Sequence, residues 1–253
     1  MGSFTVPWAD SRMSPYPLQQ FFARYAAWGE ERFMQLIGLN TLVFDFDGTL
    51  ATCPYDFAYM RQAVLRAARV HGLDERQLGE HGLLETIARG AELLREDELR
   101  AVAFREEATH ALSAIEYEAA AITRLLPGTL PALTALRAAG FRLGIVTRNS
   151  SAAVARIIGD TPLPFDALLC REDVRQPKPH PAHVHEMLHL LHSSPALSLM
   201  VGDHPMDIAM GQAADMRTVA VCTGQSSPEE LDAAHPDLLL PSIVELTALL
   251  LGT

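Results

Sequence analysis

The feature that most constrains the fold is a regular alternation of short apolar runs and amphipathic segments from residue 129 to the end of the chain. The apolar runs have the length and composition of buried strands, and the segments between them have helical spacing. Such alternation predicts an α/β fold with a parallel sheet and helices on both of its faces. We expect strands at 141–147, 166–170, 197–201, 217–222 and 238–240, and helices at 129–139, 151–158, 181–192, 205–214, 228–234 and 242–251.

A further strand is predicted at 41–46, where the apolar run TLVF leads into acidic residues and a glycine. The stretch 56–122 then breaks the alternation, because it is rich in Ala, Leu, Arg and Glu at helical spacing. We interpret it as an all-helical module inserted above the carboxyl edge of the sheet. The predicted organisation is an N-terminal leader and helix over 1–40, a Rossmann-like core over 41–51 and 127–253, and an inserted helical cap over 52–126.

The composition excludes several classes of protein. Hydrophobic residues make up 49% of the chain and charged residues 20%, which is typical of a globular protein. No apolar run approaches the ~20 residues that span a bilayer, and the three cysteines are too widely spaced for a disulfide framework. A net charge of −11 disfavours nucleic acids and anionic membranes as partners. We therefore expect a cytoplasmic monomer or homodimer that binds a small molecule.

Polar residues follow the predicted strands in four places. Because ligands bind at the carboxyl ends of strands in an open parallel sheet, these four segments are expected to converge although they are distant in sequence. They are DFDGTL at 45–50, TRNS at 147–150, QPKPHP at 176–181 and GDHPMD at 202–207.

The residue types in these segments point to phosphate and metal chemistry. Asp45 and Asp47 are two apart on an extended chain, so their carboxylates repel and need a shared proton or a cation. Thr147 precedes the backbone amides that open a helix, which favours anion binding. Asp203 and Asp207 are one helical turn apart, so both can face one site. Carboxylates together with phosphate oxygens are ligands that Mg²⁺ prefers.

Lys178 is the only lysine in a chain that has 20 lysine and arginine residues. A solvated loop position would be expected to follow the strong preference for arginine, so its presence between prolines indicates a functional ammonium group. We expect Lys178→Arg to lower kcat/KM strongly and to leave thermal stability nearly unchanged, because Lys is a compact charge and Arg a broad planar fork.

The four segments, in this order and spacing, resemble the motifs of the haloacid dehalogenase (HAD) superfamily. The resemblance is to its phosphoglycolate-phosphatase-like branch, which has a helical cap inserted after the first strand, and it covers residues 41–240. It implies a Mg²⁺-dependent phosphatase that hydrolyses a small phosphorylated metabolite through an aspartyl-phosphate.

The resemblance also implies roles for individual residues. Asp45 would be the nucleophile, and Asp47 would protonate the leaving group and later activate water. Thr147 and Lys178 would hold the phosphoryl oxygens. Arg148 stands where these enzymes often have Asn, and it is either a further phosphate contact or a solvent-facing loop residue.

For the metal, the resemblance implies a Mg²⁺ ion bound by the Asp45 side chain, the Asp47 backbone carbonyl and Asp203. Asp207 would support this site by orienting Lys178 or a metal-bound water.

Alternatives remain open at this point. A phosphomutase would use the same aspartates, and a HAD-fold binding protein would use none of them catalytically. A dehalogenase is disfavoured because it does not need the second acid, Asp47. A phosphonatase-type enzyme is disfavoured because residues 52–126 contain no lysine for a Schiff base.

Two weaker signals lie outside these motifs. His185 and His189 match the zinc-binding pattern H-E-x-x-H, but they fall in a His-rich helix that we expect on the outer flank of the sheet. Arg61 and Arg89 are the arginines of the predicted cap that we expect first to reach the substrate.

Overall fold

The computed structural model describes residues 36, 38–159, 161 and 163–252. Most of the predicted N-terminal leader and helix lies outside the described residues. The described part of the chain contains six strands: β1 Thr41–Phe44, β2 Arg142–Val146, β3 Ala167–Leu169, β4 Ser198–Gly202, β5 Arg217–Val221 and β6 Leu238–Leu240. They form one parallel sheet in the order β3-β2-β1-β4-β5-β6.

The stretch 57–119 consists mainly of four α-helices, as the composition of 56–122 predicts. Phe104 is fully buried in an apolar cluster that these helices share, and this cluster is separate from those on the sheet. The four helices are α1 Phe57–Val70, α2 Glu75–Leu78, α3 Leu83–Leu93 and α4 Glu98–Ala119.

Six further helices alternate with the remaining strands and confirm the predicted α/β class. Each begins and ends within two residues of its expected position. None of the helices in the described ranges is both long and apolar enough to cross a membrane. The six are α5 Thr129–Ala138, α6 Ser151–Ile158, α7 Ala182–Leu190, α8 Pro205–Ala213, α9 Pro228–Ala233 and α10 Ile243–Leu251.

Strand β1 is central and completely buried, because helices cover both faces of the sheet. Phe44, its last residue, is in register with Ile145 of β2 and Val201 of β4. The carboxyl ends of these three strands therefore meet at one edge. The polar residues that follow them are brought together by this register.

The chain enters and leaves the four-helix insertion at adjacent points. Ala51 forms an antiparallel bridge with Leu125, and the Thr52 N–H donates to the Arg124 carbonyl over 2.8 Å. The two connections are thus paired beside the carboxyl end of β1, and the helices between them lie over that edge of the sheet.

Candidate active site

The strand register explains why three of the predicted site residues lie close together. Asp45 comes after β1, Thr147 after β2 and Asp203 after β4, and all three are buried. A turn with positive φ at Gly48 (+84°) bends the chain back after Asp47. A Cβ atom at Gly48 would overlap the Asp203 carboxylate, so only glycine permits this approach of the two loops.

Lys178 is a buried residue, with only 4% of its side chain exposed. Its ammonium contacts Asp45 Oδ1 and also donates to Asp207 Oδ1 over 2.9 Å. Burial alone would lower the pKa of Lys178, but the carboxylates of Asp207 and Asp45 outweigh burial and raise it. The lysine is therefore charged and fixed between two acids.

A histidine that the sequence reasoning missed supports the Lys178 loop. His183 is fully buried on α7; its Nδ1 accepts the Lys178 N–H over 3.1 Å, and its Nε2 lies 3.3 Å from the Leu169 carbonyl. This pattern assigns the proton to Nε2 of a neutral ring. Burial and the nearby Lys178 charge lower the pKa of His183 to about 4. The only signal in the sequence was its place just after the proline-rich loop.

The Asp47 carboxylate lies in a network of hydrogen bonds. Asn149 Nδ2 donates over 3.1 Å, the Tyr55 hydroxyl over 3.1 Å and the Thr147 hydroxyl over 3.3 Å. Asn149 Nδ2 also donates to the Tyr55 hydroxyl over 2.5 Å. Burial and then the charge of Asp45 raise the pKa of Asp47 to about 7. A carboxyl group with this pKa can both give and accept a proton near neutral pH.

Tyr55 and Asn149 in this network were not among the predicted site residues. Tyr55 lies in the connection between β1 and α1, and Asn149 lies in the loop just before α6. Local spacing in the sequence could not predict that either side chain points toward Asp47, since they are 8 and 102 positions away from it.

Asp45, Asp203 and Asp207 form an acidic group that could hold a cation. One ligand atom from each lies within 4.8 Å of the others, and this is the one such group of three in the described ranges. Burial raises the pKa of Asp45 to about 6 even though Lys178 lowers it. Burial, followed by the charges of Asp45 and Asp207, raises the pKa of Asp203 to about 8.

This charge balance fits a hard divalent cation. Three buried carboxylates face a single ammonium, and oxygen atoms are the ligands that Mg²⁺ takes. We predicted that Asp207 supports the site by orienting Lys178 or a metal-bound water, and the structure places it against Lys178 and within the acidic group. The Asp47 side chain turns toward Asn149 and Tyr55, so its predicted metal contact stays limited to the backbone carbonyl.

The acidic group opens into a cavity of about 640 Å³ between the sheet edge and the four-helix insertion. Arg61 lines this cavity, whereas Arg89 is exposed and does not. Arg148 also lines it, but its guanidinium donates to Glu85 of α3 over 2.8 Å. Arg148 therefore connects the sheet edge to the helical insertion, and its phosphate contact stays a prediction.

The zinc-like motif lies away from these residues. His185 and His189 are exposed on α7, while Met187 and Leu188 between them are buried against the sheet. Neither histidine joins a group of three metal-ligating side chains in the residues that the structure describes. The two histidines of the motif therefore lie on the solvent-facing side of a helix that packs on the sheet.

The sequence of this chain matches a known family model and a known protein over most of its length. Residues 42–221 match the family model for haloacid dehalogenase-like hydrolases. The chain is 29% identical over 225 residues to the pyrophosphatase PpaX of Bacillus pumilus, which covers 83% of this chain and 96% of that protein.

Solved structures share the fold. A haloacid dehalogenase-like hydrolase from Bacteroides fragilis is 25% identical with a TM-score of 0.60, over 82% of this chain and 99% of that one. A beta-phosphoglucomutase from Clostridium difficile is 21% identical with a TM-score of 0.59, over 82% of this chain and 93% of that one. The likeness to the mutase extends to the fold alone.

Proposed function

Since the chain belongs to the haloacid dehalogenase-like hydrolase family and is a phosphatase of that family, we propose that it hydrolyses a small phosphate monoester through an aspartyl-phosphate on Asp45, with Mg²⁺ as cofactor. One observation carries the proposal. Asp45 is held by a buried ammonium, and the carboxyl group two residues later has a pKa of about 7. A nucleophile and a proton donor thus lie side by side at the floor of one cavity.

In the first half-reaction, an Asp45 oxygen attacks phosphorus. Lys178 and the Phe46 N–H both hold Oδ1, the latter over 2.5 Å, which leaves Oδ2 for the attack. The bond from phosphorus to the leaving oxygen breaks, and protonated Asp47 gives that oxygen its proton. The products are a free alcohol and an aspartyl-phosphate.

In the second half-reaction, Asp47 is a carboxylate and takes a proton from water. The water oxygen attacks phosphorus, the bond to Asp45 breaks, and inorganic phosphate leaves. Asn149 and Tyr55 hold the Asp47 carboxylate in place for both proton transfers. General acid–base help of this kind contributes about 10²–10⁴-fold to a rate.

Charge makes this chemistry feasible in an acidic protein. We assign the phosphoryl oxygens to Thr147 and Lys178, and the cation to Asp45 and Asp203 with the Asp47 carbonyl. Asp207 positions Lys178 through the 2.9 Å contact. When bound, Mg²⁺ supplies the positive charge that lets a carboxylate approach a phosphate dianion.

We further propose that residues 52–126 form a cap domain over this site. The separate apolar cluster around Phe104 and the paired connections at Ala51 and Leu125 support this division. The cap would exclude water and contact the alcohol part of the substrate.

The test is hydrolysis of an aryl phosphate. Activity should require added Mg²⁺ and vanish in excess EDTA, and Asp45→Asn should abolish both turnover and phosphoenzyme formation. Asp215→Asn is a matched control, because Asp215 is exposed in the turn before β5, at the opposite edge of the sheet. Full activity in EDTA, or turnover by Asp45→Asn, would contradict the proposal. Isomerisation of a sugar phosphate without release of phosphate would instead identify a mutase.

A further inference from the structure

We propose that the loop after β5, residues 222–227, is a positioning element for the metal site, in which Thr223 and Gly224 fix two of the groups assigned to Mg²⁺. This inference rests on the proposed function and adds residues that none of the four predicted segments contains. It concerns how the ligands are held, and it leaves the chemical roles of Asp45 and Asp47 unchanged.

The register of the sheet brings this loop beside Asp203. Strands β4 and β5 are parallel neighbours, and Gly202 at the end of β4 is in register with Ala220 of β5. Asp203 follows directly after β4, and the loop 222–227 follows directly after β5. Because the carboxyl ends of parallel strands meet at one edge, this loop is a fifth strand-end segment at the edge that carries the site.

The Asp203 carboxylate lies in a slot between two glycines. A Cβ atom on Gly224 would overlap Oδ2 of Asp203, as would a Cβ atom on Gly48. The Thr49 hydroxyl donates to the other oxygen, Oδ1, over 2.8 Å. Both oxygens of a buried carboxylate are thereby restrained. Any side chain at position 224 would displace either the loop or the Asp203 carboxylate.

Thr223 holds the turn that follows Asp47. Its hydroxyl donates to the Gly48 carbonyl over 2.6 Å. That carbonyl belongs to the peptide group between Gly48 and Thr49. On one side of this group is the Asp47 carbonyl, which we assign to the cation, and on the other is the Thr49 hydroxyl, which holds Asp203. Because a peptide group is planar, its orientation sets both neighbours. One hydroxyl outside the predicted segments therefore restrains two of the proposed ligands.

The loop is itself held in place beyond Gly224. Gln225 Nε2 donates to the Cys53 carbonyl over 3.2 Å, at the start of the helical insertion. The Ser227 hydroxyl accepts from the Glu230 N–H over 3.2 Å and caps α9. The loop is thus anchored on both the insertion and the sheet part of the chain. Losing a group that orients a metal ligand typically lowers metal affinity or activity about 10–100-fold.

The test is calorimetric titration of the full chain with Mg²⁺ alone, which needs no turnover. Thr223→Val removes the hydroxyl and keeps the shape of the side chain, so we expect it to weaken Mg²⁺ binding about 10-fold. Thr223→Ser keeps the hydroxyl and should bind Mg²⁺ as the wild-type protein does. Gly224→Ala should weaken binding at least about 10-fold, because its Cβ atom displaces the Asp203 carboxylate.

Thr134→Val is the matched control. The Thr134 hydroxyl also donates to a backbone carbonyl, that of Leu130, over 2.7 Å, but it is exposed on α5 and outside the cavity lining. This variant should bind Mg²⁺ with wild-type affinity, and its Tm shows what a lost hydroxyl does to stability alone.

Two results separate this inference from the proposed function. Folded Thr223→Val and Gly224→Ala proteins that bind Mg²⁺ with wild-type affinity, even with a lower Tm, would overturn the inference and leave the loop a packing role. A wild-type protein that binds Mg²⁺ but hydrolyses no aryl phosphate would refute the proposed function, and the affinities of the variants would still decide the inference. A wild-type protein that binds no Mg²⁺ would overturn both. If thermal denaturation shows that Gly224→Ala is unfolded, the comparison of Thr223→Val with Thr223→Ser decides.

Discussion

Replacing Lys178 by arginine keeps the charge but changes the size of the group between Asp45 and Asp207. Both aspartates are buried, Asp207 completely, and only 4% of the Lys178 side chain is exposed. The ammonium is 2.9 Å from Asp207 Oδ1 and contacts Asp45 Oδ1 on its other side. A planar guanidinium cannot occupy this space unless at least one carboxylate moves.

Two magnitudes follow from this geometry. Overpacking a well-packed interior costs about 1–3 kcal/mol, and in a chain of this size about 2–4 °C of Tm is lost per kcal/mol. This expectation replaces the one from sequence, that stability would be nearly unchanged, because the sequence could not show that Lys178 is buried. Displacement of Asp45 by ~1 Å should also lower kcat/KM by about 10²-fold.

The assay is hydrolysis of an aryl phosphate combined with thermal denaturation of the same preparations. Arg175→Lys is the matched control, since Arg175 is exposed three positions earlier in the same loop and should change neither quantity. A Lys178→Arg protein that keeps both the wild-type Tm and most of its kcat/KM would show that a guanidinium fits between Asp45 and Asp207 without displacing either carboxylate.

Three further predictions concern other residues. Tyr55→Phe removes one hydrogen bond to Asp47 and should lower kcat/KM about tenfold, so unchanged kinetics would remove Tyr55 from the site. Because the pKa of His183 falls from 6.5 to about 4 on folding, only the unfolded chain binds this proton between those values. The free energy of unfolding should therefore decrease by up to about 3 kcal/mol as the pH falls from about 6.5 to 4, because protonation of this ring favours the unfolded chain. Urea denaturation of His183→Gln should show a weaker pH dependence over this window, and an identical slope would contradict the assignment. His185→Ala combined with His189→Ala should leave phosphatase activity near wild type, and a loss of activity together with bound zinc would show that the motif is functional.

Local sequence patterns were sufficient to predict the fold. The strand 217–221 ends in the apolar run Val-Ala-Val and is followed by a helix, and both features arise from neighbours in the chain. The approach of Asp45, Thr147 and Asp203 could also be expected, because parallel strands in one sheet place their carboxyl ends at one edge. Periodicity and order therefore located the site.

The order and periodicity of the residues specify the elements and the edge at which their polar residues meet. The contacts between those residues became apparent only in the folded chain: Tyr55 and Asn149 on Asp47, His183 behind Lys178, and Arg171 against Glu116. Such contacts depend on side-chain direction and on how the helical insertion packs over the sheet. Those are set by the packing of the whole chain, and residues 55 positions apart, such as Glu116 and Arg171, leave no local pattern that reveals their contact.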